Sequence, residues 1–213
     1  MISPWVANGN ISSYLSNHPT ADRCRLSVSI CAGLAYLHEN NVVHGDLKGA
    51  NVLIDDDGKP MLTDFGNSNL QGTTLQFTPT ATRPSYSLRW TAPEILQGKS
   101  VHTNAGDVYS LGMTILEVLT SEAPFPNKTD LSLYRHVVIN QKRPVRPMMI
   151  IPERSIFGNI LWGILTSCWS YDPQLRPDSA TVWQLLKPLT PDKLKQVEVV
   201  EVVVELNEDK MGE

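Results

Sequence analysis

A turn between two short apolar runs constrains this chain more than any other part of its sequence. Residues 52–54 (VLI) and 61–63 (MLT) flank residues 55–58, which read Asp-Asp-Asp-Gly. Apolar runs on either side of an Asp-Gly turn predict a β-hairpin. Such a hairpin would bring the polar side chains at its two ends, Asn51 and Asp64, close together.

Around the hairpin, apolar residues recur at the spacing of an α-helix. Predicted helices cover residues 10–16, 22–39, 131–140, 155–169 and 179–186, and another begins at Asn104. Thr20 or Asp22 can cap the start of the second of these helices. Residues 67–90 have no periodicity and predict a long loop, of the kind that is usually functional or disordered.

These elements predict one mainly α domain (α+β class) over residues 1–187, with a short β-hairpin. Residues 188–213 are expected to form a C-terminal tail outside the domain. Valine is interspersed with glutamate from residue 197 to residue 204. That pattern is compatible with a strand, a helix or a disordered tail.

The composition limits the class of protein. Of 213 residues, 41% are hydrophobic and 19% charged, which is typical of a globular domain. The net charge of −4 argues against a general nucleic-acid surface, and no apolar stretch approaches the roughly 18 residues of a membrane span. No secretory signal is expected from the first residues, and three cysteines (Cys24, Cys31, Cys168) show no metal-type spacing. A cytoplasmic protein with reduced thiols is therefore expected.

Three polar clusters lie around the hairpin in a fixed order. They are residues 44–51 (HGDLKGAN), residues 64–66 (DFG) and residues 92–94 (APE). Their order and spacing resemble the catalytic loop, the metal-binding turn and the end of the activation segment of eukaryotic protein kinases. The resemblance implies the C-terminal lobe of a kinase, with ATP and Mg²⁺ as cofactors and a protein as substrate.

The chemistry of phosphoryl transfer fits these residues, because it needs positioning and charge neutralisation more than covalent catalysis. The resemblance makes Asp46, Lys48 and Asn51 the catalytic residues. Asp46 would orient the substrate hydroxyl, and Lys48 would offset charge on the transferring phosphate. Asn51 and Asp64 would supply the hard oxygen ligands that Mg²⁺ prefers.

Later segments fit the same family. Residues 106–112 resemble the start of the central buried kinase helix, in which Asp107 would bind the backbone of the catalytic loop. The segment 168–177 resembles the one whose arginine, here Arg176, pairs with Glu94, and breaking a buried pair costs roughly 3–5 kcal/mol.

Two features bear on the kinase group and its substrate. Residues 88–94 and the Cys-Trp pair at 168–169 resemble the tyrosine-kinase-like group. Lys48, together with Ser87 five residues before the Ala-Pro-Glu sequence, favours serine/threonine specificity.

The first residues resemble the segment that joins the two kinase lobes. By that match Ser3 is the gatekeeper, and the backbone of residues 4–6 faces adenine. The predicted nucleotide-binding residues are thus Pro4, Val6, Leu53 as the floor of the adenine pocket, and Asp64.

The sequence departs from the kinase pattern in two places. It has no Gly-x-Gly, and its first lysine is Lys48, so we expect the N-terminal lobe to be missing, the activity to be weak, and a partner or that lobe to cover the upper surface. Gly45 replaces the arginine that usually receives activation-loop phosphate. Phosphorylation of threonines in residues 73–82 would therefore have no receptor in the catalytic loop.

Two other functions compete with an active protein kinase. A non-catalytic, kinase-like module could bind partners through its helical face. Small-molecule phosphotransferases of the aminoglycoside or choline kinase type also use His-Gly-Asp, an Asn five residues later and a further Asp. Residues 92–94, 106–112 and 176–177 argue against that last class.

Overall fold

The computed structural model describes residues 6–64, 69–70 and 85–195. In these ranges the helices are α1 (Ile11–Asn17), α2 (Arg23–Glu39), α3 (Pro93–Leu96), α4 (Asn104–Thr120), α5 (Asp130–Tyr134), α6 (Ile156–Cys168), α7 (Ser179–Leu186) and α8 (Pro191–Lys195). The strands are β1 (Val42–Val43), β2 (Val52–Ile54), β3 (Pro60–Leu62) and β4 (Asn69–Leu70). The mainly α fold with a short hairpin, predicted from the sequence, is confirmed.

The predicted hairpin is formed by β2 and β3, which pair antiparallel with Val52 opposite Leu62. A second short sheet pairs β1 with β4, with Val42 opposite Leu70. The sequence did not predict β4, because a two-residue strand inside a polar, aperiodic segment leaves no period-2 pattern to detect. A 3₁₀ helix at Ser85–Arg89 also lies within the predicted loop.

Side-chain caps fix where the helices begin. The side chain of Asp22 accepts a hydrogen bond from the backbone N–H of Arg25 at 2.9 Å, which confirms one of the two predicted caps of α2. Thr103 caps α4 through the N–H of Gly106, and Ser155 caps α6 through the N–H of Gly158. Each cap satisfies a backbone donor that the first turn of a helix leaves without a partner.

The core is built around α4, which is apolar on nearly all sides and packs against α2 and α6. Its residues Leu111, Met113 and Ile115 are fully buried. The helix α2 also packs against α7 and β3, and so connects the hairpin to the helical layer. Burial of this kind contributes about 1.5–3 kcal/mol for each large apolar side chain.

The structure differs from the sequence-based prediction at two places. The helix predicted over residues 131–140 is α5 followed by a π-helical turn at Arg135–Ile139. The tail predicted from residue 188 is, up to residue 195, part of the packed structure, because Leu189 and Leu194 are 5% exposed and belong to the core. Residues 196–213 lie outside the described residues. No helix within the described ranges is long and apolar enough to cross a membrane.

Candidate active site

The backbone of the catalytic-loop cluster, residues 44–51, is held by a carboxylate of α4. Asp107 accepts hydrogen bonds from the N–H groups of His44, at 2.7 Å, and Gly45, at 2.8 Å. Gly45 has a φ of 81°, a left-handed conformation that glycine adopts without strain. The contact that the kinase resemblance implied for Asp107 is therefore present. Burial lowers the pKa of His44, which is fully buried, against the opposing effect of Asp107 and Asp46.

The predicted catalytic side chains meet in one cluster. The Lys48 ammonium donates to Oδ2 of Asp46 at 2.7 Å and to Oγ of Ser87 at 2.7 Å. The Asn51 amide donates to the Asp46 carbonyl at 2.8 Å and to Asp46 Oδ2 at 3.2 Å. These bonds orient the Asp46 carboxylate, and they join the catalytic loop to the 85–89 segment.

Two oxygen atoms of this cluster have no hydrogen-bond partner among the described residues. Both hydrogen bonds to the Asp46 carboxylate reach Oδ2, and within the described ranges Oδ1 has no hydrogen-bond partner. Asn51 uses only its amide nitrogen, so its Oδ1 is also without a partner among these residues. Asp46 Oδ1 can thus accept a proton or a hydrogen bond, and Asn51 Oδ1 can coordinate a cation.

Asp64 lies beside this cluster, at the end of β3. The backbone N–H of Thr63 donates to the Asn51 carbonyl at 3.0 Å. Thr63 is thus bonded directly to Asn51, and Asp64 is the residue that follows Thr63. The Asp64 side chain is exposed, and its φ of 61° is uncommon for a residue other than glycine. Strained backbone of this kind often occurs at functional sites.

Asn51 and Asp64 together fit a magnesium ion. An amide oxygen and a carboxylate are both hard ligands, and Mg²⁺ is commonly held by one or two protein groups together with substrate phosphates and water. In the described part of the chain, no group of three or more His, Cys, Asp or Glu could hold a metal on its own. Phe65 and Gly66 lie outside the described residues.

Two of the predicted nucleotide-binding residues lie next to the hairpin. The Val6 carbonyl accepts a bond from Gly9 N at 3.1 Å, and the Gly9 carbonyl accepts one from Ile54 N at 3.0 Å. Leu53 is half-buried and points away from the fully buried Val52 and Ile54, as alternation along a strand requires. Pro4 and Ser3 lie outside the described residues.

Sequence reasoning missed Glu117 of α4, which binds three parts of the site. Its Oε2 accepts from Gly49 N at 2.9 Å and from Trp90 Nε1 at 2.9 Å, and its Oε1 accepts from Ser12 Oγ at 3.5 Å. A Cβ on Gly49 would lie 2.6 Å from Cδ of Glu117, so a larger residue at position 49 would displace the Glu117 carboxylate. Burial raises the pKa of Glu117, although these hydrogen bonds oppose the rise. Only the position of a charged residue within an apolar helix could have indicated it.

A second missed contact extends the network behind the catalytic loop. His38 Nε2 lies 3.0 Å from Asp107 Oδ2, and His38 Nδ1 lies 2.9 Å from Ser179 Oγ. Because an ionised Asp107 can only accept, we assign the proton on His38 to Nε2. The first turn of α7 is thereby joined to the residue that holds the catalytic loop.

The predicted pair of Glu94 and Arg176 is present. The guanidinium donates to both carboxylate oxygens, at 2.7 Å and 2.8 Å, and also to the Ser170 and Ala105 carbonyls. The Arg176 side chain is fully buried and that of Glu94 is 12% exposed. A bidentate pair of this kind fixes α3 against the loop before α7.

Several known protein kinases are similar to this chain. The sequence matches the protein kinase domain family over residues 1–186. It is 31% identical over 193 residues to the serine/threonine-protein kinase STY17 of Arabidopsis thaliana, which is 89% of this chain and 32% of that protein. The receptor-interacting serine/threonine-protein kinase 3 of Rattus norvegicus is 36% identical over 190 residues, covering 83% of this chain and 38% of that protein.

A third relative carries a broader name. The serine/threonine/tyrosine-protein kinase HT1 of Arabidopsis thaliana is 30% identical over 192 residues, covering 88% of this chain and 46% of that protein. This chain spans about one third of the length of the first relative. The family match over most of the sequence, with these relatives, shows that the chain belongs to the eukaryotic protein kinase family and is similar to its tyrosine-kinase-like group.

Proposed function

We propose that this chain carries the catalytic side of a protein kinase that transfers the γ-phosphate of ATP to serine or threonine hydroxyls of a protein. One observation supports this most directly. Asp46 is held in a fixed orientation through Oδ2, while Oδ1 has no partner among the described residues. A substrate hydroxyl can therefore donate to Oδ1 without breaking any bond within the site.

Each residue of the cluster has a separate task in this proposal. Asp46 binds the hydroxyl and takes its proton at Oδ1 as the oxygen attacks the γ-phosphorus of ATP, whose bond to the leaving ADP breaks. Lys48, bound to both Asp46 and Ser87, places positive charge where negative charge develops on the transferring group. Asn51 keeps the Asp46 carboxylate in place through its amide nitrogen.

The proposed cofactors rest on the family and on the two oxygen atoms that have no partner in the described part of the chain. Asn51 Oδ1 and the Asp64 carboxylate would hold Mg²⁺, which neutralises phosphate charge when bound. Leu53 would contact the adenine, together with the backbone of Pro4 and Val6. We keep as predictions a cytoplasmic location and a partner that covers the surface above the catalytic loop.

The contact of Lys48 with Ser87 supports serine/threonine specificity. Ser87 lies in the 85–89 segment, and its bond to Lys48 places it beside the Asp46 carboxylate. The similar proteins include serine/threonine kinases and one serine/threonine/tyrosine kinase.

Transfer of ³²P from labelled ATP to a pool of serine and threonine peptides tests this function. Asp46→Asn should reduce transfer at least about 100-fold, the usual contribution of a positioned general base. Asp56→Asn is the matched control, because Asp56 is an exposed carboxylate in the β2–β3 turn, and it should leave transfer unchanged.

Other results would contradict the proposal. If Asp46→Asn transferred phosphate as fast as the unmodified chain, Asp46 would not be the base. If the unmodified chain transferred none, the non-catalytic binding module would be the better account. Transfer to small alcohols but not to peptides would favour the small-molecule phosphotransferases instead.

A further inference from the structure

An apolar groove with a basic rim lies next to the 85–89 segment, because two of its lining residues, Pro124 and Phe125, accept hydrogen bonds from Arg89. It is enclosed by the loop after α4, the π-helical turn and the segment before α6, and its volume is about 480 Å³. The buried Leu116, Pro124, Phe125 and Pro144 are among the residues that line it. Its size lies within the roughly 300–1,000 Å³ of typical ligand sites.

The charged residues that line this groove are mostly basic. Lys128, His136, Arg143 and Arg146 line it, against the single carboxylate of Glu122. In the described part of the chain, neither Lys128 nor Arg143 forms an ion pair. Burial and the neighbouring Lys128 and Lys142 lower the pKa of His136, as an excess of positive charge would.

Apolar side chains continue from the groove onto the surface. Val145 is 87% exposed and Met149 is 96% exposed, with Met148 and Ile150 beside them at 49% and 37%. Contiguous exposed apolar patches usually mark a surface that another segment covers. The occupant should therefore combine apolar side chains with negative charge.

The chain itself contains a segment with this composition. Residues 197–206 read VEVVEVVVEL: seven apolar residues, three glutamates and no basic residue. They follow α8, whose last residue is Lys195. We propose that residues 197–206 bind in the basic-rimmed groove, with their valines on its apolar floor and their glutamates at Lys128 and Arg143.

Residues 197–206 follow the end of α8, which is connected to the groove by hydrogen bonds. Ser155 Oγ donates to the Lys193 carbonyl at 3.3 Å, and Ser155 N donates to the Pro152 carbonyl at 3.3 Å. The same Pro152 carbonyl accepts a bond from Arg146, a residue of the groove, at 3.0 Å. The end of α8 is thus connected to the groove through Ser155, Pro152 and Arg146. Ten extended residues can span up to about 33 Å, so residues 197–206 are long enough to enter the groove.

Zero-length carbodiimide cross-linking of the full chain tests this proposal, since it joins a lysine to a carboxylate only at direct contact. We expect amide cross-links from Lys128 to Glu198, Glu201 or Glu205 in the monomer, identified by peptide mass. Their yield should exceed that from Lys59, an exposed lysine of the β2–β3 turn. The yield should also fall as salt is added, because exposed charges are screened.

Two matched variants separate the groove from general charge effects. Arg143→Glu should lower the Lys128 cross-link by about fivefold, as the loss of an exposed ion pair would. Arg154→Glu changes another exposed arginine that does not line the groove, and it should have no effect. Neither residue belongs to the catalytic cluster, so the test is independent of kinase activity.

Hydrogen exchange of residues 122–129 gives a second readout. The triple variant Glu198→Lys/Glu201→Lys/Glu205→Lys should exchange faster there, and adding Arg143→Glu should restore part of the protection. Cross-links found only in dimers would overturn the proposal in favour of a second copy as the occupant. Equal yields from Lys128 and Lys59, with unchanged exchange, would overturn it in favour of an external acidic peptide or an empty groove.

Discussion

Glu117 is the residue at which three segments of the site converge. Its carboxylate accepts from the catalytic loop at Gly49, from Trp90 and, more weakly, from Ser12 in α1. The cost of removing a buried acceptor is set by the donors it leaves unsatisfied, at about 1–3 kcal/mol. Variants that keep or remove the acceptor oxygen can therefore distinguish the effect of these hydrogen bonds from the effect of the negative charge.

We predict that Glu117→Ala lowers the free energy of unfolding by about 2 kcal/mol, because Gly49 N–H and Trp90 N–H lose their acceptor. Glu117→Gln is the control, since its amide oxygen can accept both bonds. Urea unfolding monitored by tryptophan fluorescence measures the difference. Equal losses for Ala and Gln would show that the negative charge, and not the acceptor, holds these segments.

The difference in stability between the unmodified chain and Glu117→Gln should depend on pH, because the pKa of Glu117 is raised. A carboxyl group whose pKa is higher in the folded state binds its proton more tightly there. Its stabilising contribution is present at low pH and is lost as the pH rises through the folded pKa. The unmodified chain should therefore lose stability relative to Glu117→Gln as the pH rises from about 4.3, the ordinary pKa of glutamate, through the raised pKa of the folded state.

At the scale of elements, α4 approaches the end of α6 closely at Gly112. A Cβ on Gly112 would lie 2.7 Å from Nε1 of Trp169 and 2.9 Å from Cβ of Cys168, both well inside normal contact. On α6, a Cβ on Gly163 would meet nothing within 4 Å. The same substitution should therefore have opposite effects on two neighbouring helices.

We predict that Gly112→Ala destabilises the protein by about 1–3 kcal/mol, because the added methyl group overpacks the contact of α4 with α6. Gly163→Ala should stabilise it by up to about 1 kcal/mol, the gain in helix propensity. Thermal unfolding of both variants measures the effect. A Gly112→Ala variant as stable as Gly163→Ala would mean that the two helices are not closely packed there.

Elements defined by local pattern could be predicted from the sequence. The hairpin, the α2 cap at Asp22 and five of the helices follow from spacing and turn chemistry. The Glu94–Arg176 pair followed from resemblance alone, because 82 residues separate its partners. No such pattern marks Glu117, 68 residues from Gly49, or Ser179, 141 residues from His38.

At the scale of the whole molecule, Asp107 connects the parts that the sequence keeps apart. From α4 it binds the backbone of the catalytic loop and His38 of α2, and through His38 it reaches Ser179 of α7. Asp107 is 2% exposed, so its carboxylate is shielded from water and is held by these donors. The position of Asp46 therefore depends on how three helices pack together, as well as on its own neighbours.

We predict that Asp107→Asn frees the catalytic loop, because an amide has one acceptor oxygen where the carboxylate has two. One of the N–H groups of His44 and Gly45 would then face the amide nitrogen, at a cost of about 2 kcal/mol. Amide hydrogen exchange of residues 44–46 should accelerate, while Asp130→Asn, an exposed change in the first turn of α5, should shift stability by at most about 0.5 kcal/mol. If residues 44–46 stayed protected in Asp107→Asn, the loop would be held by its local bonds to Lys48 and Asn51, and the helices behind it would only support the core.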